Sequence, residues 1–263
     1  MNPVLNEWLN LLFRWVHVVA GVMWIGHLYY FNFVNSQVVK TYDADSKKKV
    51  LPEVMPRALF WFRWGALWTG VSGVLLLGVV VYMGGVLSNP DQPFAANAAL
   101  GALVSLLFIF GAFFAYDLLW KSPLAKNEMT GAIVSFVLLA ALVFVYSRLF
   151  SGRAVYIQTG STLGMLMLMN VWMRIWPSQK KIIAGVKGTA PAPDPSVAAL
   201  AGLRSKHNTY MSVPLLVMMI SNHYPGVYGN DLGWATLLVL VLVGWGATKL
   251  LYTKSASAAP AQF

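Results

Sequence analysis

The chain has four histidines, and all of them lie in two hydrophobic stretches: RWVHVVAGVMWIGHLYYFNFV near the start and RSKHNTYMSVPLLVMMISNHY near residue 215. His17 and His27 are on the first, His207 and His223 on the second. A neutral imidazole carries one lone pair and one N–H, so one nitrogen can ligate a metal while the other is anchored. Ionisable residues inside apolar runs are costly, and those that persist face the interior of a helical bundle. A single histidine there reads first as hydrogen-bonded packing. Four on two stretches, with none elsewhere, point to a shared ligand. Imidazoles at two depths of a membrane suit the axial positions of one or two haems b, whose iron they would ligate inside an apolar sleeve.

The elements that must position these residues are membrane helices. With 58% hydrophobic and 11% charged residues in 263, the chain is too apolar for a soluble domain of its length. Apolar runs of roughly 20 residues recur, and alternating ten-residue barrel strands do not. The expected class is all-α: a polytopic membrane helical bundle of about seven transmembrane helices, near 8–34, 57–83, 95–120, 127–149, 154–176, 195–223 and 231–252. Lysine and arginine collect in 40–57, 121–126, 180–206 and the end with Lys249 and Lys254, while 84–94 and 224–230 have none. The positive-inside rule then puts the N-terminus outside and the C-terminus in the cytoplasm. It also accounts for the net charge of +10 without nucleic acid. The first span lacks a small-residue cleavage site and is expected to stay as a helix. Asp194-Pro195 reads as the cap and first-turn proline of the sixth helix. Residues 1–254 read as a single transmembrane domain and 255–263 as a disordered tail. The absence of cysteine excludes disulfides, iron–sulfur clusters and covalently attached haem within this chain.

On this topology the first and sixth helices run in opposite directions, so depth pairs His27 with His207 and His17 with His223. Their separations differ: ten residues, about 15 Å of helix, against sixteen, about 24 Å. The mismatch favours one well-formed haem site over two. His223, at a helix end beside Tyr224 and Pro225, is the member expected to drop out, and His17 and His207 are the ones expected to stay. Gly21, Gly26, Gly70 and Gly73 would leave room for a flat macrocycle, and Met211 and Met218 share the His207 face, although helix contact and core packing are the plainer readings. A compact copper site is disfavoured, because histidines so far apart cannot share one coordination sphere. Arg14, Arg57, Arg63, Arg174 and Arg204 sit near span ends as membrane anchors, or as partners for propionates or an anionic substrate. Asn170 is an amide inside an apolar span, and Arg174 follows one turn later. Together with Arg63 they could grip a planar polar ligand. Asp117, close to Lys121, reads as one half of an ion pair.

RWVHVVAGVMWIGHLYYFNFV, NVWMRIWPSQKK and RSKHNTYMSVPLLVMMISNHYP resemble the membrane domain of the bacterial membrane-bound urate oxidase (urate hydroxylase) family, and the likeness runs from the first span to the last. The resemblance implies a multi-pass domain of the bacterial inner (plasma) membrane that oxidises urate in purine degradation. Electrons would pass to a cytochrome c rather than form hydrogen peroxide. By position, the motif histidines are His17, His27, His207 and His223, and the asparagine and arginine region runs from Asn170 to Lys180. Members of that family associated with urate oxidation continue into a C-terminal c-type cytochrome domain, whereas this sequence has no cysteine and ends shortly after the seventh span; either a separate cytochrome c is the acceptor, or this relative has lost, or never had, urate chemistry. The expected partners are thus membrane lipid, a cytochrome c or another respiratory carrier, and a small-molecule substrate. An alternative reading is a haem-binding electron-transfer subunit of a respiratory assembly, with a quinol or cytochrome partner and no urate activity. A further one is a cofactor-free scaffold whose histidines only pack.

Overall fold

The computed structural model describes residues 2–257. Among these residues the chain forms seven long helices and no strand. They are α1 (Pro3–Thr41), α2 (Ala44–Tyr82), α3 (Ala98–Leu119), α4 (Glu128–Leu149), α5 (152–187), α6 (Pro195–Ile220) and α7 (Gly233–Ser257). Five of them, α1 to α4 and α7, are long and apolar enough to cross a membrane. The other two carry polar residues where the rest carry aliphatic ones. Gln158, Thr162 and Asn170 on α5, and Arg204, Asn208 and Ser212 on α6, are all buried. Each of the seven stretches predicted from hydropathy overlaps one of these helices, five of which are long and apolar enough to span. α2, however, begins at Ala44 rather than near 57. Its first turns hold a lysine run and two prolines, Pro52 and Pro56, residues that argue against helix in a sequence because proline removes a ladder hydrogen bond.

The helix starts follow capping chemistry. Asn97 accepts from the amide of Leu100, and Asn127 accepts from those of Met129 and Thr130. Asp43 accepts from Ser46 at 2.7 Å, and Asp194 from Ser196 at 2.8 Å. Each side-chain oxygen satisfies an amide that has no partner in the first turn. These donors hold both carboxyls below the usual carboxylate range: the Ser46 amide for Asp43, and the Ser196 hydroxyl and amide for Asp194. The start of α6 at Pro195 matches the predicted cap and first-turn proline. α5 ends at Gly188, whose φ of 74° lies in the left-handed region that a Cβ disfavours. Three π turns interrupt the regular winding, at Tyr30–Asn35, Leu77–Tyr82 and Val171–Ile175.

The helices gather into two compact units. Of the described residues, the first comprises 2–14 together with Gly73–Leu166 and Pro214–Val243; the second comprises Trp15–Ser72, Met167–Val213 and 244–257. In the first, Ser151 donates to the Val86 carbonyl at 2.6 Å and Gln92 to that of Phe150 at 2.7 Å, which pins the 83–97 connection. Tyr156, buried, donates to the Gly233 carbonyl at 2.8 Å. Asp117 and Lys121 form the predicted ion pair at 2.7 Å.

In the second unit α1 and α2 cross closely at Gly65, where a Cβ would lie 3.1 Å from the Trp24 amide and 3.2 Å from the Ala20 carbonyl. Both neighbours are backbone and cannot swing aside, so a branched side chain would push the helices apart. Gly65→Val is expected to cost about 1–3 kcal/mol, as overpacked sites do, measured as a lowered denaturation midpoint in detergent, with Gly65→Ala in between. Gly21 and Gly70 face Thr69 and the Leu168 side chain, so their bulk is removed for packing. A Cβ on Gly26 would meet nothing within 4 Å. α7 reaches Ser257, three residues into the stretch expected to be tail, and Ser255 donates to the Phe33 carbonyl. The rest of that tail, 258–263, lies outside the described residues.

Candidate functional site

Three of the four histidines, His17, His27 and His207, belong to the second unit, and His223 belongs to the first. His17 projects from α1 and donates its Nδ1–H to the Thr69 carbonyl at 2.9 Å, with Ser72 Oγ at 3.2 Å. His27 donates its Nδ1–H to the Met23 carbonyl, one turn back on its own helix, at 2.7 Å. A carbonyl oxygen only accepts, so both rings carry the proton on Nδ1 and the lone pair on Nε2. This is the tautomer and anchoring of a metal-ligating histidine. His207 lies half-buried in the middle of α6, and His223 is exposed in a short 3₁₀ turn, Ser221–His223, after that helix. An imidazole anchored through Nδ1, with its lone pair on Nε2, is the kind of donor that a haem iron would take. Among the described residues no cluster of three or more histidine, aspartate or glutamate side chains could hold a metal ion.

The same unit holds a polar core. Asn170, fully buried at the end of the regular part of α5, donates to Asn208 Oδ1 at 2.9 Å, and Asn208 donates to the Met167 carbonyl at 3.0 Å. Arg204 is 0% exposed and precedes Asn208 by one turn on the same face of α6. The next face of α6 carries a second ladder. Asn32 donates to Ser205 Oγ at 2.8 Å, Tyr252 donates to Asn32 Oδ1 at 3.0 Å, and the Tyr29 hydroxyl meets Ser212 Oγ at 3.0 Å. Asn32 sits in the first π turn, and Asn170 directly precedes the third. Such turns rotate the following side chains away from the i, i+4 register.

That rotation separates two residues the sequence grouped together. Asn170 is interior, whereas Arg174, inside the Val171–Ile175 turn, is half-buried. Arg63 is also half-buried. Its guanidinium lies 3.9 Å from the centroid of the Trp176 ring, a cation–π stack, and its carbonyl accepts from Trp172 Nε1 at 3.2 Å. Of the five arginines grouped as span-end residues, Arg14 and Arg57 are exposed and Arg204 is not. The signal for Arg204 and Asn208 was present in the sequence, since RSKHNTYMS is dense in polar residues for a helix that continues into VPLLVMMI. Which of those residues faced inward depended on packing.

These features define an all-helical protein with several helices able to cross a membrane and a buried, hydrogen-bonding polar core in one unit. The chain belongs to the urate oxidase N-terminal family, whose profile it matches over residues 3–262. Comparison with curated proteins and with solved structures gave no match.

Proposed function

We propose that the chain is a multi-pass oxidoreductase of the bacterial inner membrane that oxidises urate and delivers the electrons to a cytochrome c. The observation that carries this reading is the family match over residues 3–262, nearly the whole chain. Urate is a planar anion whose rim alternates N–H and C=O groups. Arg204 offers the cationic fork such an anion needs in a low-dielectric interior. Asn170 and Asn208 offer amide donors and acceptors matched to its edges, and Arg174 and Arg63, half-buried in the same unit, could add charge. Oxidation removes two electrons and two protons from urate, and water then adds to the oxidised ring. The chain contributes by holding the anion in one orientation and excluding bulk water, which strengthens each charged hydrogen bond. His17 and His207 are the residues that would hold haem b, and the haem, when bound, supplies a one-electron carrier between substrate and acceptor.

The test is an anaerobic titration of purified, membrane-extracted protein. Urate is expected to reduce a haem b, identified as its pyridine haemochrome, and added cytochrome c to be reduced in turn. Protein with haem that urate leaves oxidised would refute the urate assignment, and protein without haem would refute the carrier.

A further inference from the structure

The first unit holds a buried polar cluster that the urate reading does not use. Gln158, on α5, is 0% exposed, and neither its amide nitrogen nor its amide oxygen has a hydrogen-bond partner among the described residues. A sealed amide with no partner is strongly destabilising, the more so among helices able to cross a membrane, where bulk water does not reach it.

Its surroundings are hydroxyls. Tyr82, at the end of α2, meets Ser105 Oγ on α3 at 2.8 Å, and Tyr146 on α4 meets Thr162 Oγ1 on α5 at 3.0 Å. The Tyr82 hydroxyl lies beside the Gln158 side chain and close enough to Tyr146 for the two to interact. Thr162 stands one turn after Gln158 and donates to its backbone carbonyl at 2.8 Å. That uses the Thr162 proton, so Tyr146 is the donor to Thr162 Oγ1 and its own oxygen can still accept. Ser105, Tyr146, Gln158 and Thr162 are buried and Tyr82 is half-buried. All five belong to one unit, and they come from four successive helices.

The chemistry of these groups selects the occupant. The amide has donors on Nε2 and an acceptor on Oε1, and both need a partner. A cation would satisfy Oε1 and repel the Nε2 protons, an anion would do the reverse, and none of the five side chains carries a charge to balance either. A molecule that both donates and accepts satisfies the two ends together. Water is the smallest such molecule, and a buried water typically makes about three hydrogen bonds to polar groups that are otherwise unmet.

We propose that the first unit binds an ordered water between the Gln158 amide and the hydroxyls of Tyr82 and Tyr146. The water ties α5 to α2 and α4 and joins two separate hydroxyl pairs into one network. The site is independent of the urate reading, which concerns the second unit.

The experiment is magic-angle-spinning NMR of the wild-type protein in lipid bilayers, with isotope labels on the isoleucine carbonyl carbon and the glutamine nitrogens. Ile157–Gln158 is the only Ile–Gln pair in the sequence, so Gln158 is identified without a variant. Its side-chain amide protons are expected to show a through-space cross-peak at the water frequency. No cross-peak overturns the proposal. The second measurement is the thermal denaturation midpoint in detergent. Gln158→Met keeps the length of the side chain and removes both polar atoms, and it is expected to lower the midpoint by about 3–6 °C because the water loses its main partners. A midpoint that stays or rises means that the native amide is unmet, and it overturns the proposal. So does a wild-type midpoint raised by sodium chloride but not by choline chloride at equal ionic strength, which would make the occupant a cation.

Discussion

His207→Ala and His17→Ala protein is expected to purify with at least about tenfold less haem b per chain than wild type, measured as pyridine haemochrome, whereas His223→Ala keeps full occupancy. The contrast follows from placement. His17 has its Nδ1 proton fixed by the Thr69 carbonyl and Ser72 hydroxyl, which leaves the lone pair on Nε2, and His207 is half-buried in the middle of α6. His223 is exposed in a terminal turn and belongs to the other unit. Alanine leaves a space the size of the lost ring, so imidazole added to the medium is expected to restore part of the Soret absorbance in His17→Ala. A purely structural histidine would show no such rescue. Equal haem content in all three variants would sink the assignment.

The second large effect is expected at Arg204. Arg204→Lys keeps the charge and most of the volume of a fully buried side chain but loses the planar fork. It is expected to lower kcat/KM for urate by about 100-fold, the equivalent of one or two charge-assisted hydrogen bonds at about 1.5–3 kcal/mol each, with haem content unchanged. Asn208→Leu removes the amide that Asn170 donates to and leaves that donor stranded in the interior. It is expected to reduce activity and to destabilise the protein as well, because an unmet buried polar group costs about 1–3 kcal/mol. The informative comparison is therefore between the two variants. Wild-type kinetics in Arg204→Lys would remove Arg204 from the substrate site even if Asn208→Leu were inactive.

Much was legible before any coordinates. Hydropathy located the helices, five of them long and apolar enough to cross a membrane, because a span needs about 20 residues to match a hydrocarbon core, a constraint written in one dimension. Cap chemistry is equally local: Asp194 and Pro195 fix the start of α6 from adjacent residues. An i, i+4 ion pair such as Asp117 with Lys121 follows from helical spacing alone. The motif stretches carried the family, which the match over residues 3–262 shares.

What only the tertiary structure decided is which polar groups meet. Arg14, Arg57 and Arg204 look alike in sequence, each basic beside an apolar run, yet one is sealed inside and two are exposed. The difference arises because burial depends on residues far away in the chain: Asn170 is 38 positions from the Asn208 it bonds, and Tyr252 is 220 from Asn32. The π turns were equally hidden, since one extra residue in a turn leaves composition and mean hydropathy unchanged while it re-aims every side chain that follows. Gly26 and Gly65 show the same limit. In sequence both are small residues on apolar helices, but Gly65 marks a close backbone crossing and Gly26 faces open space. The two opening stretches thus placed His17, His27 and His207 in long helices, with His223 in a turn just past one, and packing divided them: His17, His27 and His207 in one unit, and His223 in the other.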